Sequence, residues 1–217
     1  MTAGLARALR VRWSLFGGVL LLAFTVLGLA VRDRPWGLDV ALLWALHGEW
    51  LDAPGLVAGV LSNIFGPVLP VALGLALTVA AVRAYRSGDR VRASLLVRVT
   101  VVLVLCRLTS FVFKPLFERD RPREYPDLSY PSGHVVSVAS TGFAAVLLCA
   151  WLAPRLLRRM TFLALAATAV AAACRVVLSV HWFTDTLGAV LAVGGVGLVS
   201  AVALRLLPAL SDRGPAA

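Results

Sequence analysis

Charge is scarce in this chain, and acidic charge scarcest. Charged residues make up 15% of 217 positions, with eleven Asp and Glu against 21 Lys and Arg. So little polar material excludes a soluble domain of this length. Cysteine is nearly absent. Cys106, Cys149 and Cys174 all lie in apolar runs and form no C-x-x-C pair, which argues against a disulfide framework and a zinc site and leaves them as small packing residues. There is no internal repeat and no low-complexity tail beyond the closing Pro-Ala-Ala. What fills the chain is apolar: 60% of residues are hydrophobic and the mean hydropathy is +0.88. Several runs reach the roughly 18 to 20 residues that a bilayer core demands of a helix. The net charge of +10 does not point to nucleic acid, because the basic residues sit in short clusters flanking the apolar runs.

The expected fold class is therefore all-α, a six-transmembrane-helix bundle forming a single membrane-embedded domain over residues 1–217. The spans are expected at 13–31, 65–82, 95–113, 134–153, 160–179 and 184–207. The N-terminus imitates a signal peptide, with Arg7, Arg10 and Arg12 before an apolar stretch and Gly28-Leu29-Ala30 after it. That stretch exceeds the roughly 7–15 residues of a signal core, so it reads as an uncleaved first helix. Arg83, Arg86, Arg90 and Arg92 follow span two, Arg155, Arg158 and Arg159 follow span four, and Arg205 and Arg213 follow span six. All fall on one side, which the positive-inside rule makes the cytoplasm, with both termini there. The six Trp residues all fall at expected span ends or in the first outer connection, where indole favours the headgroup level. In that connection, residues 38–46 and 56–64 are apolar but too short to span. They are either short helices in the outer interface or a packed loop.

The opposite side gathers residue types suited to phosphate. Lys114 and Arg121 are cations at the end of span three, and Arg pairs bidentately with phosphoryl oxygens. Arg119 and Arg123 in the same loop read as headgroup snorkellers. Pro131-Ser132-Gly133-His134 stands at the start of span four, with Ser132 as N-cap, Gly133 admitting close backbone approach, and His134 a proton donor. Arg175 lies near the outer end of span five; a charge at mid-membrane costs about 2.5–3.5 kcal/mol, so it faces a polar cavity or a partner. His181 and Asp185 are four apart and share a face if helical. Asp185 then holds one imidazole nitrogen and leaves the other free to attack. Arg175 and His181, six apart, are about 240° apart on a helix, so the chain turns between them. His47, the third histidine, reads as structural.

These residues resemble the type 2 phosphatidic acid phosphatase superfamily. Its pattern K-x6-R-P matches Lys114, Arg121 and Pro122; P-S-G-H matches Pro131 to His134; and S-R-x5-H-x3-D matches Arg175, His181 and Asp185, with Cys174 in place of the Ser. The resemblance implies that His181 attacks phosphorus to form a phosphohistidine, that Asp185 orients it, and that His134 protonates the leaving oxygen and then helps activate water. It implies that Lys114, Arg121, Arg175, Ser132 and the Gly133 N–H hold the phosphoryl oxygens, with no metal and no cofactor. The expected activity is hydrolysis of a lipid phosphomonoester or pyrophosphate at the extracytoplasmic face of the plasma (inner) membrane. Undecaprenyl pyrophosphate, phosphatidic acid and phosphatidylglycerol phosphate all qualify as substrates. A phosphotransferase of the same family is the chief alternative. A soluble vanadium haloperoxidase is disfavoured by six spans. Arg98 and Arg107 inside span three are too few and too far apart for a voltage sensor, which disfavours a channel or transporter. Arg107, seven residues before Lys114, either extends the polar pocket or pairs with a backbone carbonyl.

Overall fold

The computed structural model describes residues 3–208; Arg213 and the closing Pro-Ala-Ala lie outside the described residues. Among the described residues there are eight α-helices and no strand: α1 (Ala3–Val31), α2 (Gly37–Ala45), α3 (Ala53–Phe65), α4 (Val68–Arg86), α5 (Arg90–Phe117), α6 (Gly133–Leu152), α7 (Leu157–Val177) and α8 (Phe183–Ala203). Six stretches are long and apolar enough to cross a membrane, with α3 and α4 together forming the second, Ala53–Arg86. Large apolar side chains such as Leu15, Leu22, Leu163 and Leu165 point outward. On a multi-pass membrane protein these are the lipid-facing positions, since hydrocarbon is as apolar as they are.

The ends of the helices explain where the expected spans were misjudged. Asp89 caps α5, accepting the Arg92 N–H at 2.9 Å. The helix runs on to Phe117, so Lys114 sits in its last turn, before the chain turns off at Glu118 in the left-handed region. The last span stops at Ala203 instead of 207. Arg205 takes a positive φ, its N–H reaches the Val202 carbonyl at 3.0 Å, and the Leu206 N–H reaches Ala201 at 2.7 Å. This is a Schellman stop with Arg in the usual glycine position. Leu206 then tucks back, fully buried, into the core. Arg98 and the Trp151 indole donate to the carbonyls of Leu204 and Leu206, a helix-end role for Arg98.

Helix α5 is central, packing against α4, α6 and α8, while α1 lies along α8. The main core joins α4, α5, α6 and α8 through residues such as Leu77, Val99, Val102, Val136 and Val193. The two short apolar segments between α1 and α4 are helical. Helix α2 rests on α8, and α3 packs against α7. A second cluster sits toward the functional end. Tyr130, fully buried, stacks on Phe24, meets Phe117 edge-on and donates its hydroxyl to the Phe24 carbonyl at 2.6 Å. A Cβ at Gly188 would overlap the Tyr130 ring, so glycine is required there. The locked Tyr130 anchors the loop three residues before α6.

Candidate active site

Three stretches distant in sequence meet at one end of the bundle, around a cavity of about 470 Å³. Lys114, Arg121, Gly133, His134, Arg175 and His181 line it. The other two expected residues, Ser132 and Asp185, are fully buried and not part of its lining. Ser132 occupies the N-cap position of α6, but its hydroxyl makes no capping bond and has no partner among the described residues. Its backbone N–H instead donates to the Asp185 carbonyl at 3.1 Å, tying the start of α6 to the start of α8.

His181 and Asp185 do meet, though not across a helix face. Helix α7 ends in another Schellman turn: Ser179 has a positive φ, its N–H bonds Val176 at 2.9 Å, and the Val180 N–H bonds Arg175 at 3.3 Å. Serine takes the position where glycine was sought, which is why no Gly or Pro marks the break. His181 lies in the connection, and α8 starts only at Phe183. Asp185 is the third residue of α8, and its Oδ2 accepts the Trp182 N–H at 2.9 Å. The same oxygen faces His181 Nδ1 at 3.3 Å and accepts the Ser129 hydroxyl. A carboxylate used as a helix cap thus fixes the Nδ1–H tautomer. Nε2 turns the other way, 3.1 Å from an Arg121 guanidinium nitrogen. Burial drives the His181 pKa down to about 3, against the pull of Asp185 and with further push from Arg121 and Arg175. Burial thus favours the neutral imidazole, and its Nε2 lone pair faces the Arg121 guanidinium.

Arg119 is not a snorkeller. It is buried, and its guanidinium bridges Asp185 Oδ1 at 2.5 Å and Asp39 Oδ2 at 2.9 Å, with Thr184 Oγ1 at 2.7 Å. Asp39, on α2, also accepts the Thr184 N–H and hydroxyl at 2.9 and 2.6 Å. The sequence reading missed this network, because residues 80 and 145 positions apart leave no spacing signal. Arg123 is likewise engaged, stacked over the Trp50 ring with 4.3 Å to its centroid.

The cations facing the cavity are held more loosely. Asp127 is shared by Lys114 and Arg121, and Arg121 also donates to the carbonyls of Asp127, Leu128 and Val180. Burial alone would raise the Asp127 pKa, but the Lys114 bond and the charges of Lys114 and Arg121 hold it below the usual carboxylate range. Arg121 lies over the Tyr125 ring at 4.2 Å. Arg175, buried, donates to Ser62 Oγ on α3 at 3.0 Å, so α3 helps position a cavity cation. His134 packs against Gly66 at the α3–α4 break, where a Cβ would lie 3.0 Å from the imidazole Cδ2. Arg107 also lines the cavity and bonds the Ser110 hydroxyl at 2.7 Å, not a backbone carbonyl. Cys174 is buried and does not line the cavity; His47 is exposed beside Trp44 and does not line it either.

The family model described as "PAP2 superfamily" matches residues 95–207, more than half of the chain and every cavity cation just described. The chain belongs to the PAP2 superfamily. No curated protein matches the chain at the level of sequence. Among solved structures it is similar to a transmembrane PAP2 type phosphatidylglycerolphosphate phosphatase from Bacillus subtilis. That match has 23% identity, covers 86% of this chain and 94% of the other, and gives a TM-score of 0.65. At this identity the likeness speaks for the fold, a transmembrane PAP2 helix bundle. The family match begins in α5, so it leaves out α1 to α4, which supply Asp39, Ser62 and Gly66 to the site's surroundings.

Proposed function

We propose that this PAP2 protein is a metal-independent lipid phosphatase whose nucleophile is His181 Nε2. The observation that carries the reading is the pairing of a neutral, buried imidazole with cations on its open side: Nε2 lies 3.1 Å from Arg121, and Asp185 holds Nδ1. The Nε2 lone pair attacks phosphorus as the bond to the leaving oxygen breaks, and His134, charged once the bound phosphate anion offsets the cations around it, gives its proton to that oxygen. The imidazole becomes a phosphohistidine cation, which Asp185 stabilises through the Nδ1–H. Water then attacks phosphorus and gives a proton to His134, the P–N bond breaks, and orthophosphate leaves with His181 neutral again. Lys114, Arg121 and Arg175 hold the phosphoryl oxygens, aided by the Gly133 N–H and, after local rotation, the unpartnered Ser132 hydroxyl. Fixed cations here take the charge-stabilising role that Mg²⁺ has in other phosphoryl transfers.

The site end of α5 carries Lys114, while Arg90 and Arg92 begin the same helix at the opposite end, beside Arg83 and Arg86. This separation supports an extracytoplasmic site in the plasma membrane with the termini inside. The substrate is a lipid phosphate whose headgroup enters from the outer leaflet; the Bacillus structure, titled as a phosphatidylglycerolphosphate phosphatase, sets one member of the test panel. The test is phosphate release from phosphatidate, phosphatidylglycerol phosphate and undecaprenyl pyrophosphate, with EDTA present, by wild type and His181→Ala. Activity should survive chelation and vanish in the variant. Activity that requires added metal, or persists in His181→Ala, rejects the mechanism. Transfer to an added lipid alcohol in preference to water would reassign the protein as a phosphotransferase.

A further inference from the structure

Arg107 is the cation that the proposed reaction leaves unused. It is on α5, seven residues before Lys114, which puts it on nearly the same helix face about 10 Å further from the site end. It lines the same cavity, its guanidinium lies 4.5 Å from the Phe111 ring centroid, and among the described residues its one hydrogen bond is to the buried Ser110 hydroxyl. No carboxylate meets it among the described residues. An arginine within a membrane span is expected to face a polar cavity and to have a partner there. Here the cavity exists and the anionic partner does not.

The charge balance of the cavity points the same way. Arg107, Lys114, Arg121 and Arg175 line it, and Asp127 is its one acidic residue, so four positive charges against one negative leave an excess of three. Asp185 is not in the lining and is already matched by Arg119. A lipid phosphomonoester brings at most about two negative charges at neutral pH. A lipid with a second ionised phosphoryl group brings about three.

We propose that Arg107, with Ser110, forms a second anion subsite that binds a phosphoryl group on the tail side of the one attacked by His181, selecting lipids that carry two phosphoryl groups. The inference rests on the site assigned under the proposed function and narrows its substrate. In a lipid pyrophosphate the second group is the proximal phosphate of the anhydride. In a phospholipid phosphate it is the diester between tail and headgroup. Both place an anion deeper than the scissile phosphorus, the direction in which α5 carries Arg107. Phosphatidate has no such group.

The test compares Arg107→Gln with wild type on undecaprenyl pyrophosphate, phosphatidylglycerol phosphate and phosphatidate, together with the affinity of the detergent-solubilised proteins for inorganic pyrophosphate and orthophosphate. In wild type, pyrophosphate should bind at least tenfold more tightly than orthophosphate, and Arg107→Gln should close most of that gap. The variant should lose tenfold to a hundredfold in kcat/KM on one or both diphosphoryl lipids, and far less on phosphatidate; Arg107→Lys should recover part of the loss. Which of the two lipids suffers more identifies the natural arrangement. Equal losses on all three lipids, or a pyrophosphate preference unchanged in Arg107→Gln, would overturn the subsite and leave the phosphatase reading standing. Wild type inactive on every lipid, with the pyrophosphate preference intact and lost in the variant, would retain the subsite and reject the phosphatase reading.

Discussion

Arg119 and Arg121 are two residues apart in one motif, yet they live in opposite surroundings. Arg119 is 2% exposed and saturated: two carboxylates and a hydroxyl use its guanidinium, and it sends nothing into the cavity. Arg121 lines the cavity beside the His181 Nε2 and shares with Lys114 a carboxylate, Asp127, that is about half exposed. The first ion-pair network positions the carboxylate behind His181, the proposed nucleophile. The second holds the cations of the proposed anion site with a half-exposed carboxylate. Identical side chains thus have different energetics. Breaking a pair buried at both ends strands both charges with no water to receive them, whereas Arg121, its side chain only 4% exposed, pairs with a carboxylate that water reaches.

Replacing each arginine by alanine separates these roles most sharply. Arg119→Ala leaves Asp39 and Asp185 buried without their cation, and a loss of about 3–5 kcal/mol in stability is expected. Arg121→Ala removes three carbonyl bonds but strands no buried carboxylate, so its melting shift should be the smaller of the two, while kcat should fall by roughly a hundredfold to a thousandfold, the usual effect of removing one donor to a transition-state oxyanion. Thermal melts in detergent read the first and steady-state kinetics the second. Equal melting shifts in the two variants would erase the distinction.

His181 connects the two networks and offers a pH test. Its folded-state pKa of about 3 lies below its ordinary 6.5, with burial the main cause. Between those values the unfolded chain binds a proton that the folded protein refuses, so stability falls as pH drops from about 6.5 toward 3. His181→Asn should melt with a shallower acid slope than wild type over that window. Parallel slopes would mean that the imidazole is not held neutral by its surroundings. The smallest effect is expected at Asp127, whose carboxylate competes with phosphate for Lys114 and Arg121. Asp127→Asn should tighten product inhibition by orthophosphate by up to about fivefold, the range of a partly exposed ion pair. Weaker inhibition would make Asp127 a support for the anion site instead of a stand-in for its ligand.

Much of this protein is readable from its chain. The apolar runs, the Arg collars and the three polar motifs led to six spans and to Lys114, Arg121, His134, Arg175 and His181 on one cavity. Local signals failed where a backbone turn broke its own rule, as at Ser179 and Arg205, which take left-handed conformations usually given to glycine. They also failed for Arg119, read as a headgroup snorkeller, and gave no sign of Asp39 or Ser62.

Composition determined that the chain crosses a membrane, and motif spacing marked the residues that line the cavity, because hydropathy and motif spacing are local properties of the chain. Only the tertiary structure decided which arginine is buried behind Asp185 and which faces the cavity, and that α2 and α3 reach the site at all. The reason is physical: an ion pair is fixed by the distance and dielectric between two charges, and neither exists until helices far apart in sequence have packed together.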